Sequence, residues 1–190
     1  MALTYEAEVI LLRPIKTPTQ EDVMRIFGKS FSEYVRFNKI ILWLIAIVGL
    51  GRLALSLAGV PNSAAKWVSI TGAVLIGLVY ASIRVHTSGF GSYKQLLPLL
   101  WIQNVLAHLI VAGSIVLGIA THKDNIFTAP EYSGNADGKT WLHVGAHLIA
   151  GFVVAPLVGW IIGSLILFVT KKVAPRKAEP ETERAAAAGA

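Results

Sequence analysis

The sequence predicts an all-α integral membrane protein: four transmembrane helices preceded by a cytoplasmic amphipathic helix. Three observations lead there. The chain of 190 residues is 54% hydrophobic and only 15% charged, with a mean hydropathy of +0.61, too apolar for an ordinary soluble domain. Four apolar stretches are long enough to cross a hydrocarbon core of about 30 Å, which takes around 20 helical residues. Lys and Arg gather on one side of those stretches, the pattern of the positive-inside rule. The expected organisation is a cytoplasmic arm over 1–39, a transmembrane domain over 40–170 and a basic, then disordered, tail over 171–190.

The arm comes first. Thr17-Pro18-Thr19-Gln20-Glu21-Asp22 reads as a helix start, with Thr19 and Asp22 spaced for a capping box. Val23, Ile26, Phe27, Phe31 and Tyr34 then recur at helical spacing between charged residues, which predicts an amphipathic helix lying on the membrane surface. Such a helix serves as a lipid-side collar or as a docking element for a partner protein. Met1 leads into Glu6 and Glu8 without a basic segment followed by an apolar one, so no cleavable signal peptide is expected.

The four crossings are predicted over 40–60, 67–85, 96–120 and 141–170. Pro61-Asn62-Ser63 makes a tight turn that pairs the first two as an antiparallel hairpin. A short loop over 86–95 joins the second to the third, in whose first turn Pro98 falls. A polar loop over 121–140 precedes the fourth, which Pro156 should kink, releasing the carbonyl near Phe152. Thirteen Lys and Arg lie on the side of the termini against Lys66, Lys123 and Lys139 on the other, which predicts both termini in the cytoplasm. Trp67 and Trp141 are placed as anchors at the outer headgroup level. The formal charge of +6 is accounted for by topology and lipid headgroups, with no nucleic-acid partner required. The chain has no cysteine, which excludes disulfides and thiolate sites.

Arg52 is the sharpest clue to a site. It sits near the middle of the 40–60 stretch, and no transmembrane stretch contains an acidic residue. An ionisable group at that depth costs several kcal/mol and faces protein, ligand or water rather than lipid. Three fates compete: bonds to backbone carbonyls and to Asn104 and His108, pairing with an acidic residue of the 121–140 loop such as Asp124, or capture of an exogenous anion.

Asn104 and His108 fall one turn apart on the third helix, on a stripe with Trp101, Ala112 and Ile115 that should face the bundle interior. His143 and His147 share one face at the start of the fourth helix, and with His122 and Asp124 they offer ligands for a divalent metal. Haem b is the other cofactor considered, with Arg52 on a propionate and His108 or His147 as axial ligand. The helical rise puts His108 and His147 on the order of 9 Å apart in level, which counts against using both.

Other chemistry lacks its residues. Proton- and sodium-coupled transport usually needs an intramembrane carboxylate, no inverted repeat is evident, and neither a P-loop nor a serine-nucleophile set is present. No catalytic residue is assigned. Small residues, chiefly Gly159 and Gly163 with Gly49 and Gly51, offer close-packing faces within the chain or between copies. Two classes remain: a non-enzymatic accessory or self-associating subunit of a membrane complex, or a cofactor- or anion-binding bundle built on Arg52, Asn104, His108 and His147.

Overall fold

The computed structural model describes residues 25–132 and 137–175. The chain enters through a hairpin of β1 (Arg25–Ile26) and β2 (Lys29–Ser30), joined by Phe27 and Gly28 at φ of 49° and 83°. Two successive positive φ values make the tight turn that suits paired strands, and glycine adopts one of them without strain. Ser30 then opens α1 (Phe31–Leu57) with a capping box: its hydroxyl accepts from the Glu33 amide, and the Glu33 carboxylate accepts from the Ser30 amide at 2.7 Å. The Tyr34 hydroxyl ties the hairpin down by donating to the Ile26 carbonyl at 2.8 Å.

This corrects the expected amphipathic helix. Apolar spacing ran on through Phe27-Gly28, where the backbone reverses, so Phe31 and Tyr34 belong to the spanning helix itself. The rest of the arm, with the capping box expected at Thr19 and Asp22, lies outside the described residues.

After a short α2 (Asn62–Ala65), α3 (Ile70–Thr87) returns, capped by the Ser69 hydroxyl on the Gly72 amide at 3.2 Å. α4 (Tyr93–Thr121) starts three residues earlier than expected, where Gln95 accepts from the Ser92 amide at 2.9 Å. Pro98 therefore stands inside the helix rather than in its first turn. The last crossing joins α5 (Trp141–Ile149), a π-helical turn over Ala150–Val154 and α6 (Ala155–Val173). The π-helical turn stands just before Pro156, and the carbonyl expected to be released there is the one at Phe152. Pro156 has no N–H for the Phe152 carbonyl, which accepts instead from the Trp101 indole at 3.0 Å.

Four helical segments, Phe31–Leu57, Asn62–Thr87, Tyr93–Thr121 and Trp141–Val173, are long and apolar enough to cross a membrane. α1 and α4 run one way and the other two spans the opposite way. The hairpin, the 88–92 loop and residues 174–175 thus share one end, the terminal side. The 58–69 and 121–140 connections share the other, the loop side. Large apolar residues such as Ile40, Trp43, Ile47 and Leu165 face outward, the surface a bilayer covers.

Close packing is spent inside the chain. Gly159 and Gly163 are buried, and a Cβ on Gly163 would come 2.8 Å from the Ser82 hydroxyl of α3 and 3.2 Å from Leu100 of α4. Between the two apolar core clusters lies a buried polar knot. The Asn38 amide nitrogen donates to the Leu99 carbonyl and its oxygen accepts from Gln103, each at 2.9 Å. In hydrocarbon such groups must find partners within the protein.

The polar 121–140 loop is folded onto the bundle, though Asp124 is not the residue it buries. Asn125 to Ala129 are buried. The Asn125 side chain donates to the Ser114 carbonyl at 2.8 Å and accepts from the Phe127 amide at 2.9 Å. The Ile126 amide donates to the Ser56 hydroxyl at 2.8 Å, so the loop is stitched to both α1 and α4.

Candidate functional site

Under that folded loop lies a cavity of about 450 Å³. Its wall includes Arg52 from α1, Asn104 and His108 from α4, His143 and His147 from α5, and Phe127 and Tyr132 from the loop. Apolar residues of α3 and α6, among them Leu75, Leu78, Val158 and Ile162, complete it. A mostly apolar concavity with a few convergent polar groups is the usual form of a small-molecule site.

Arg52 stands five residues before the end of α1, about 8 Å from that end by the helical rise. The expectation that it lay mid-span is corrected: α1 starts at Phe31, so its centre falls well before Arg52. The guanidinium carbon lies 5.3 Å from the Phe127 ring centre and 5.6 Å from that of Tyr132. Each such contact contributes roughly 0.5–2 kcal/mol, comparable with a translocon-scale penalty of roughly 2.5–3.5 kcal/mol for a mid-bilayer arginine. The rings hold the cation in place without neutralising it. Its Nε is buried and has no hydrogen-bond partner.

Among the described residues, the side chains considered as partners for Arg52 bond to other groups. Asp124 pairs with Lys139. The Asn104 amide donates to the Leu100 carbonyl of its own helix at 2.9 Å, and His108 faces His147. Among the described residues, no ion pair involves Arg52.

His108 and His147 meet directly, Nδ1 to Nδ1 at 3.1 Å. The separation of about 9 Å derived from the helical rise is therefore wrong. It assumed that the ends of the third and fourth helices are level, whereas α4 runs 13 residues beyond His108 and α5 begins only six before His147. The seven-residue difference is an overhang of about 10 Å, and the buried 125–129 segment packs on it.

Gly151 makes the approach of the two helices possible. A Cβ there would overlap the Cβ of His108 and lie 2.6 Å from its Cγ. A π-helical turn beside such a contact is a common way of re-aiming side chains at a site.

The hydrogen bond requires one Nδ1 to carry a proton and the other to offer its lone pair. His143 is fixed separately. Its Nδ1 lies 2.8 Å from the Gly138 carbonyl, which only accepts, so Nδ1 carries the hydrogen and Nε2 is left free. Its ring centre is 4.9 Å from that of His147.

The expected metal set is not assembled. His122, in left-handed conformation at φ 57°, is the exposed C-cap of α4, and Asp124 is on Lys139. Among the described residues no group of three His, Cys, Asp or Glu is disposed to hold a metal ion. A haem held by both histidines does not fit either. Two nitrogens 3.1 Å apart are too close to stand across one iron, which at roughly 2.0 Å per imidazole bond needs about 4 Å.

Electrostatics at the loop mouth are local. The Asn62 side-chain amide on Glu131 holds that carboxyl below its ordinary value of 4.5. The Lys139 amide does the same for Asp137, and Asp124 raises Lys139. Among the described residues lining the cavity, Thr71 carries a hydroxyl, Tyr132 a phenol and His108, His143 and His147 imidazoles, beside the Arg52 guanidinium.

Arg52, Asn104, His108, His143 and His147 thus share one cavity, while His122 and Asp124 stand apart from it. Phe127, Tyr132 and Gly151 were not recognised as site residues in the sequence. An aromatic pair in a polar loop was the available signal for the first two. Comparison with known protein families, curated proteins and solved structures finds no match for this chain.

Proposed function

We propose that this protein is a non-enzymatic, membrane-embedded binding bundle that holds the negatively charged group of a small molecule at Arg52. The observation that carries this reading is a guanidinium in cation–π range of both Phe127 and Tyr132 at a cavity wall, with a buried Nε left unpartnered. An arginine whose Nε is shielded from water is suited to carboxylate and phosphate, which its planar fork matches. The histidine pair supplies a neighbouring group able to donate or accept a hydrogen bond.

An accessory or self-associating role drew support from the small-residue faces. Gly159 and Gly163 are used between helices of one chain, so that support passes to internal packing. The Lys and Arg distribution supports termini in the cytoplasm, with the cavity under the outer loop.

The test is purification in mild detergent of wild type and Arg52→Gln, followed by an absorption spectrum, metal analysis and mass spectrometry of extracted small molecules. An acidic molecule near one per wild-type chain, lost from an equally helical and monodisperse Arg52→Gln, is the expected result. A Soret band, stoichiometric zinc or copper, or identical extracts from both proteins would overturn it.

A further inference from the structure

The cavity is graded. Arg52, Tyr132 and His143 lie toward the loop side, where Ile126 and Phe127, 1% and 8% exposed, roof it. Its other end is built of Leu78, Gly159, Val158 and Ile162, and the Asn104 side-chain nitrogen there donates to its own helix.

The wall between α3 and α6 is incomplete. Leu75, Val158 and Ile162 line the cavity yet are 56%, 49% and 45% exposed, on the surface that faces lipid. Further toward the terminal side the two helices close up, with Gly163 against Ser82. The opening is therefore a sideways cleft, polar at its interfacial end and apolar toward the bilayer centre.

From this grading we infer that the ligand is a single-chain amphiphile with an anionic head, entering from the bilayer between α3 and α6. The inference rests on the anion-binding reading of Arg52 and extends it. Arg52 lies about 8 Å from the end of α1, a depth suited to a lipid head. The chain then runs down the apolar wall, as lipids are oriented in that leaflet. A volume of about 450 Å³ is within the range of sites that enclose one small molecule. Contact between α3 and α6 at Gly163 closes the cleft toward the terminal side, and a volume near the low end of that range suits one chain rather than two.

The experiment uses the full chain in phosphatidylcholine nanodiscs, with [1-¹³C]oleate and [1-¹³C]butyrate as probes read by their carboxylate resonances. Val158→Trp fills the cleft from α6, and Leu75→Trp fills it from the opposite wall if the first variant fails to accumulate. Wild type should bind one oleate, at least tenfold more tightly than butyrate or oleyl alcohol. Either tryptophan should weaken oleate at least tenfold and by a larger factor than it weakens butyrate, while Arg52→Gln should abolish both carboxylate shifts.

If butyrate senses Arg52 but oleate binds no more tightly, or ignores the tryptophan, the amphiphile inference fails and the anion site stands. Dioleoyl phosphatidate binding as tightly as oleate would overturn the single chain. If neither carboxylate senses Arg52, both readings fall.

Discussion

Replacing Gly151 by alanine tests the contact on which the histidine pair depends. The added Cβ would lie 2.6 Å from His108 Cγ and 3.0 Å from its Cδ2, with His108 Cβ nearer still. Carbon atoms pack best at about 3.5–4.0 Å, so the helices must part by roughly 1 Å or the imidazole must leave its rotamer. Overpacking of this kind costs about 1–3 kcal/mol. A plain Gly→Ala change in a helix would otherwise gain about 1 kcal/mol, and Gly145, on α5 of the same crossing with nothing within 4 Å of its ideal Cβ, supplies that reference. Gly151→Ala should thus be less stable than Gly145→Ala by about 1–3 kcal/mol in reversible detergent unfolding. The ¹⁵N-histidine spectrum should also lose the Nδ1–Nδ1 hydrogen bond in Gly151→Ala alone. Equal stability of the two variants, with unchanged histidine signals, would refute the proposed approach of α5 to α4.

Three further predictions concern the frame around the site. Asn38→Ala removes two buried hydrogen bonds and should cost about 1–3 kcal/mol in the same assay; a neutral result would mean that the Asn38–Gln103 knot contributes nothing. Trp101→Phe leaves the Phe152 carbonyl without its indole donor and should cost about 0.6–1.7 kcal/mol, whereas an unchanged midpoint would show that carbonyl satisfied elsewhere. The Glu131–Asn62 contact has a pH signature. Because the folded carboxyl is held below 4.5, the tether is fully present above that value and is lost as pH falls through the depressed one. Amide protection at 126–132, corrected for intrinsic rates, should hold from about pH 7 to 5 and decline below 4.5, and Asn62→Ala should remove the dependence; persistence of the decline in that variant would contradict it.

The crossings were legible because hydrocarbon demands about 20 apolar helical residues, and the signal survives boundary errors of a few positions. Pro156 was legible too, since a missing N–H frees a named carbonyl wherever the helix packs. What failed were inferences that needed the level of one element against another. Hydropathy shows where a helix is apolar but not how far it projects, so the overhang of α4 that brings His108 to His147 was hidden. Arg52 was placed too deep for the same reason, because α1 begins nine residues before the apolar stretch does. Periodicity also misread the arm: Val23 to Tyr34 keeps a helical spacing across Phe27-Gly28, where two positive φ values turn the chain. The site roof was missed because the burial of Asn125–Ala129 depends on distant partners, Ser56 and Ser114.

The most direct measurement is the ¹⁵Nε–Hε resonance of Arg52, assigned by its loss in Arg52→Gln, in ¹⁵N-arginine-labelled protein before and after [1-¹³C]oleate. A ligand-free Hε shielded from solvent exchange that shifts as the carboxylate resonance moves, saturating near one oleate per chain, is the predicted result. An Hε that exchanges freely and stays in place through the titration would contradict the claim that Arg52, with its Nε shielded from water, binds the carboxylate.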